Sequence, residues 1–380
     1  MKKIALLYGH RPSGHVSAAR ALEEAFDKLG ARTITVDLSR DFYKRSGEAV
    51  NGVYLSMLSK APFLWKLGYD NPLLVSLSAP LRRIFLSGDA GRLAKMLRDS
   101  GCDAAVCTHS LPCNILAIAA NEQNLPVFGV ITDFSAHHFW PARGISGYFV
   151  HEKSAADDLA ARGIAPEIVH ACGIPVMAAF AQDISPAGIR ESLRLSPGMP
   201  CILICGGSKG LGGMESALRA LAAEGRWNLI VACGTNDVLR AKLENDFSGK
   251  AGLNILGAQA DLAGAMHAAD IIVGKPGGVT CAEALAVNKP LIIFDPLPGQ
   301  EMRNTVFLEK NDAALMACNG RELRASCGEI IAHPQLRQKL LAAQKRLAKP
   351  NASSDIAARV LAALGEIPEN ESNHLPAASN

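Results

Sequence analysis

The sequence predicts an α/β protein built as two doubly wound domains, and three observations predict it. Short apolar runs alternate with helix-period segments along most of the chain. The runs are mostly apolar, as expected of strands buried on both faces of a helix-covered parallel sheet. They also fall into two series, separated by a stretch punctuated by prolines. A length of 380 residues suits two domains of ordinary size, and 49% hydrophobic against 20% charged residues suits two buried cores.

The first run, KIALLY, follows Met1 and Lys2 and is halted at once by Gly9, His10 and Arg11. It is too short for the apolar stretch of a signal peptide and is predicted as the first strand. From Val16 to Leu29 the apolar residues Ala18, Ala19, Leu22, Ala25, Phe26 and Leu29 share one face of a helix. TITVD, DAAVCT, PVFGVIT and GYFV complete the first series of strands. The stretch from Phe42 to Ser87 breaks the alternation. It mixes Tyr43, Tyr54, Phe63, Trp65 and Tyr69 with Lys44, Arg45, Lys60, Lys66, Arg82 and Arg83. Two readings fit it: an ordinary insertion with a small core, or an interfacial surface whose apolar groups enter lipid while its cations meet anionic headgroups.

Pro175 and Pro186, in ACGIPVMAAFAQDISPAG, mark the boundary. The second series is CILICG, NLIVACG, DIIVG and PLIIF, followed by helices at about 334–347 and 353–364. The expected division is 1–175, 176–350, and a last segment 351–380 holding the final helix and a polar tail, GEIPENESNHLPAASN, too poor in apolar groups to fold.

The net charge of +3 is too small to argue for nucleic acid as a partner. The ten cysteines include no CxxC pair and lie mostly in apolar runs, as Cys201 and Cys205 do. That pattern points to buried thiols of a cytoplasmic protein rather than a disulfide or zinc framework. No stretch approaches the ~20 apolar residues of a membrane-spanning helix.

In an open α/β sheet, ligands sit beyond the carboxyl ends of the strands, and the informative motifs fall there. CILICGGSKGLGGM is a strand, a glycine-rich turn with Gly207, Ser208 and Gly210, and a helix. Such a turn lets backbone approach a ligand, although a tight structural turn looks the same. DIIVG leads into KPGGVTCAEAL, where Gly277 and Gly278 turn the chain and Val279 and Thr280 open a helix. Free N–H groups at that start, with the Thr280 hydroxyl, suit a diphosphate. Glu283 is expected in the first helical turn, either accepting from a ribose diol or simply favoured by the helix dipole. The loop after PLIIF, DPLPGQEMRN, brings Gln300, Glu301 and Asn304 as possible contacts for sugar hydroxyls. In the first half, His15 in HRPSGHVSAARAL opens the first helix, as a general base or as a capping residue. Asp133, His137, His138 and Trp140 follow the PVFGVIT strand; no further ligands stand at metal spacing, so no metal site is expected.

These motifs together resemble a known family. KPGGVTCAEAL followed by PLPGQEMRN is similar to the C-terminal donor site of GT-B glycosyltransferases. The nearest likeness is to the monogalactosyldiacylglycerol synthases and the bacterial processive diacylglycerol glucosyltransferases. GHVSAARAL resembles that family's N-terminal Gly-His motif, and TDFSAHHFWPARGISGYFVHEKSAADDLAARGIAPEIVHACGIPV its central signature. The likeness runs from residue 1 to about 350. It departs at GHRPSGH, where relatives are richer in glycine, and at GAQADLAGAMHAAD.

The resemblance implies a GT-B fold, two Rossmann-like domains facing across a cleft. It implies transfer of a hexose from UDP-glucose or UDP-galactose to diacylglycerol, without a cofactor or metal, by a cytoplasmic protein held peripherally at an anionic membrane surface. It also implies the roles: Gly277, Gly278, Val279 and Thr280 for the diphosphate, with Gly207, Ser208 and Gly210 nearby; Glu283 for ribose; Gln300, Glu301 and Asn304 for the hexose. His15 would remove the acceptor proton, with Asp133 as the next candidate. Three rivals stay open: a transferase acting on a polyprenyl-linked sugar, whose Gly-Gly-Thr-Gly-Gly-His loop is absent; a UDP-sugar 2-epimerase; and a non-catalytic UDP-sugar sensor, which would not need His15.

Overall fold

The structure is a computed structural model that describes residues 1–42 and 87–365. The aromatic–basic stretch between Phe42 and Ser87 and the polar tail therefore lie outside the described residues. The chain divides into two compact units. One comprises Met1–Arg11, His15–Met177 and the segment from Asn351; the other comprises Ala178–Pro350 with Pro12–Gly14.

The sheet of the first unit runs β2-β1-β3-β4-β5-β6, every pairing parallel. Its strands are β1 (Lys3–Tyr8), β2 (Arg32–Asp37), β3 (Ala104–Cys107), β4 (Val127–Val130), β5 (Gly147–Val150) and β6 (Val169–Ala171). Side chains alternate across a strand, and β1 shows it. Ala5 and Leu7 enter one core with Leu93, Leu97 and Leu116. Ile4, Leu6 and Tyr8 enter the other with Leu22 and Phe26. Helix Gly14–Lys28, which follows β1, thus covers one face, and helix Ser110–Gln123, which follows β3, covers the opposite one. The expected helical face of Val16–Leu29 is buried except for Leu29, which lies past the helix end and is exposed.

Helix Ala352–Ala363 is part of the same unit. Ile356, Val360 and Leu361 pack in the core beside Leu22 and Phe26, and Ser353 Oγ donates to the Val176 carbonyl at 2.8 Å. The final helix is thereby built into the N-terminal unit, where the sequence reading had set it apart with the tail.

The second sheet runs β12-β11-β10-β7-β8-β9, again parallel throughout. Its strands are β7 (Cys201–Cys205), β8 (Asn228–Ala232), β9 (Leu253–Leu256), β10 (Ile271–Gly274), β11 (Leu291–Phe294) and β12 (Leu315–Ala317). Three strands had no counterpart in the sequence reading: β6, β9 and β12. All are edge strands of three or four residues, and most of their residues are only partly buried; His170 and Asn254 interrupt the apolar pattern in β6 and β9, while β12 is apolar but only three residues long.

Both orders carry a reversal point, between β1 and β3 in one unit and between β7 and β10 in the other. Loops leaving those neighbouring strands diverge and open a crevice at their carboxyl ends. His15 follows β1, the glycine-rich turn follows β7, and the KPGG segment follows β10.

Candidate functional site

In the first unit the site is built around His15, the second residue of helix Gly14–Lys28. Its Nδ1 lies 2.7 Å from the Thr108 carbonyl oxygen and 2.9 Å from Thr132 Oγ1. A carbonyl only accepts, so Nδ1 carries the hydrogen and Nε2 keeps the lone pair. Burial, reinforced by nearby His10, pushes His15 down to about 4, against the opposing pull of the Thr108 carbonyl. The ring is therefore neutral around pH 7, as a proton acceptor must be. The His109 ring stands edge-on to it, centroids 4.7 Å apart, and its Nδ1 caps the next helix by accepting from Leu111 N at 3.0 Å. A Cβ on Gly9 would come within 3.2 Å of the His109 ring, which explains a glycine at the end of β1.

Asp133 lies one residue past Thr132, half-buried, in the loop after β4. The rest of that motif is largely scaffold. Trp140 is buried, Tyr148 Oη donates to its carbonyl at 2.9 Å, and Asn114 Nδ2 donates to the Phe139 carbonyl at 2.6 Å.

In the second unit, the loop after β7 is tight because it folds back on itself and against the loop after β8. Gly210 has φ +56°, and a Cβ there would sit 2.2 Å from the Cys233 carbonyl oxygen. The Ser208 carbonyl accepts from Thr235 N at 2.9 Å. Gly210 and the Ser208 backbone thus shape the loop, whereas Gly207 and Gly212 border Lys275: Cβ atoms on them would lie 3.6 Å from its Cε and 3.1 Å from its Cβ.

After β10, Gly277 is the N-cap of helix Gly278–Ala286. Having no side chain, it leaves the first N–H groups, those of Gly278, Val279 and Thr280, without a side-chain cap, an arrangement that favours an anion. Glu283 is the sixth helical residue, so it stands in the second turn and not the first as expected. It is buried, and burial alone pushes its carboxyl up to about 8.

Helix Gln300–Lys310 braces this helix start. Glu301 forms an ion pair with Lys275 and accepts from Leu297 N at 2.9 Å. Asn304 has no accessible surface and donates to the Pro276 carbonyl at 3.0 Å. Asn304 is therefore a support beneath the loop, where the sequence reading had it among sugar contacts. Gln300 opens the helix, half-buried.

Sequence reasoning missed Thr108, His109, Thr132, Lys209 and Lys275. A usable signal existed for three of them: Thr108 and His109 close the DAAVCTHS run, and Lys275 follows DIIVG, each at a strand's carboxyl end. Lys209 is half-buried in the glycine loop, and burial, then the neighbouring Lys275, lowers its pKa.

Comparisons with known proteins also divide the chain in two, close to the structural boundary at Met177, although the second match runs on into the final helix. Residues 15–176 match the family model described as monogalactosyldiacylglycerol (MGDG) synthase, and residues 201–360 match the glycosyltransferase family 28 C-terminal domain. Among curated relatives, a processive diacylglycerol beta-glucosyltransferase of Bacillus mycoides (strain KBAB4) is 26% identical, covering 98% of this chain and 96% of its own. One of Bacillus licheniformis is 27% identical over 87% of each chain. Among solved structures, the S. aureus MnaA–UDP co-structure aligns with TM-score 0.62 at 16% identity, covering 97% of this chain and 98% of that one. Acinetobacter baumannii MurG aligns with TM-score 0.59, also at 16% identity, over 95% and 100%. Both sheets and these likenesses make the fold that of the GT-B proteins.

Proposed function

We propose that this chain, in which an MGDG-synthase-type first half is joined to a glycosyltransferase family 28 C-terminal domain, moves a hexose from a UDP-sugar to diacylglycerol. The observation that carries the reading is the set of three loops at the carboxyl ends of adjacent strands β7, β10 and β11. They bring an uncapped helix start, a buried carboxyl and two lysines to one edge of a sheet.

Each group has a task in such a transfer. The N–H groups of Gly278, Val279 and Thr280 receive the donor diphosphate, and Lys275 and Lys209 balance its charge, so no divalent ion is needed. Glu283 accepts from the ribose hydroxyls. Gln300 and Glu301 contact the hexose, Glu301 through the lone pairs left over from Lys275 and Leu297 N. His15 Nε2 takes the proton of the acceptor hydroxyl as its oxygen bonds to the anomeric carbon. The bond from that carbon to the diphosphate breaks, and UDP leaves with the electron pair.

The relatives' names favour glucose and the family model's name galactose, so both donors belong in the assay. Among the described residues no helix is long and apolar enough to cross a membrane. The aromatic and basic residues between Phe42 and Ser87 support a peripheral contact with an anionic membrane surface. Purified protein incubated with UDP-glucose or UDP-galactose and diacylglycerol vesicles is expected to yield glycolipid and UDP. An epimerised UDP-sugar, transfer only to a polyprenyl-linked acceptor, or UDP-sugar binding without turnover would each replace this reading with a rival.

A further inference from the structure

We propose that Thr132 is a positioning residue for His15: its hydroxyl and the Thr108 carbonyl form a cradle of two uncharged acceptors around Nδ1–H, fixing the ring in the tautomer whose Nε2 carries the lone pair. The inference rests on the reading of His15 as the base.

The geometry leaves little choice of tautomer. Thr108 O and Thr132 Oγ1 stand 2.7 and 2.9 Å from the same nitrogen. Were Nδ1 unprotonated, its lone pair would face those of the carbonyl at hydrogen-bond distance, a repulsive contact; with a proton there, both oxygens accept from it. The cradle is rigid. Thr132 is 3% exposed and Thr108 fully buried, and a β-branched side chain has few χ1 rotamers. Thr108 also grips the main chain: its Oγ1 donates to the His15 carbonyl at 2.9 Å, and its N donates to the Leu7 carbonyl at 2.9 Å. Ring and backbone of residue 15 are thus tied to the ends of three neighbouring strands, β1, β3 and β4.

The chemistry of the acceptors matters as much as their position. In a serine-hydrolase triad a carboxylate orients the histidine and stabilises its cation. Here neutral oxygens select the tautomer without supplying that charge. Two titratable neighbours of the ring, His10 and the edge-on His109, carry no negative charge either. The base is built to stay neutral and to give up its captured proton readily.

The test uses the full chain with 15N-labelled histidine, comparing wild type with Thr132→Val, Thr132→Ser and Thr132→Asp. Long-range proton–nitrogen spectra near pH 7 should show His15 in the Nδ1–H form in the wild type. Thr132→Val should shift the His15 nitrogen signals and lower kcat about twofold to tenfold, the effect of one hydrogen bond. The donor KM should stay within about twofold, and Thr132→Ser should restore most of the rate. Thr132→Asp should move the acid limb of kcat/KM upward by about one pH unit or more. Unchanged His15 signals in Thr132→Val, or a loss equal in the Ser and Val variants, would overturn the cradle. If the wild type forms no glycolipid, the functional reading fails, and the spectra still decide whether the Thr132 hydroxyl holds Nδ1–H.

Discussion

Replacing Glu283 with glutamine separates the buried acid that the structure shows from the ribose contact proposed for it. Burial raises its carboxyl from the ordinary 4.5 to about 8. Because the folded value lies above the unfolded one, folding favours the protonated form. The stabilisation is whole below about pH 4.5 and is lost as the pH rises through about 8. At about 1.4 kcal/mol per unit the full separation is on the order of 5 kcal/mol, with roughly 4 kcal/mol of it falling between pH 5 and 9. Glutamine has nearly the shape of the protonated acid and no charge to titrate. Urea unfolding across that range should therefore show wild type weakening relative to Glu283→Gln as pH rises. Donor binding should run the other way. A carboxylate accepting from two ribose hydroxyls is stabilised as the anion, so binding releases a proton. Wild-type affinity for UDP-glucose should rise with pH, at most about tenfold per unit, and level off near pH 8. The variant should bind about tenfold to a hundredfold more weakly at pH 8.5, the worth of a charged hydrogen-bonding group, with a flat pH profile. Parallel stability curves would refute the buried acid, and equal calorimetric affinity at pH 8.5 would refute the ribose contact.

Three further outcomes are expected. Asn304→Leu leaves the buried Pro276 carbonyl without its amide donor and should destabilise by about 1–3 kcal/mol, lowering the melting temperature and weakening UDP binding; an unchanged melting curve would show that the contact does not brace the loop. Glycolipid synthesis should persist in EDTA if, as proposed, the helix start and Lys275 and Lys209 serve the diphosphate; abolition by EDTA with recovery on adding Mg²⁺ would contradict that. The double substitution Phe63→Ser and Trp65→Ser should reduce sedimentation with anionic vesicles while UDP affinity holds, and vesicle binding equal to wild type would make the stretch an ordinary insertion.

Much of the fold was legible because parallel strands buried on both faces leave continuous apolar runs. IALLY, VFGV and LIIF read as strands for that reason. The edge strand β6, written VHA, faces less core and leaves no such trace. The site divides the same way. Pro-Gly and Gly-Gly turns at strand ends announced the loops after β7, β10 and β11, since backbone conformation is set locally. What each polar side chain does in those loops is set by tertiary partners. Asn304 looked like a sugar contact until its amide was found under Pro276, and Glu301 looked unencumbered until Lys275 met it. Thr108 and Thr132 meet at His15 across 93 and 117 residues, a convergence that no local pattern encodes.

The most direct test of the account is a paired measurement on His15→Ala, of glycolipid turnover and of UDP affinity in the same preparation. Removing a positioned general base typically lowers the rate by about 10²–10⁴. Turnover should fall by that order, well beyond any loss of folded protein, while UDP affinity stays near wild type, because the proposed donor groups all lie in the other unit. A variant that keeps most of its turnover would contradict the account and move the search for the base to Asp133. A lower melting temperature, with turnover reduced only by the unfolded fraction, would make His15 a structural residue.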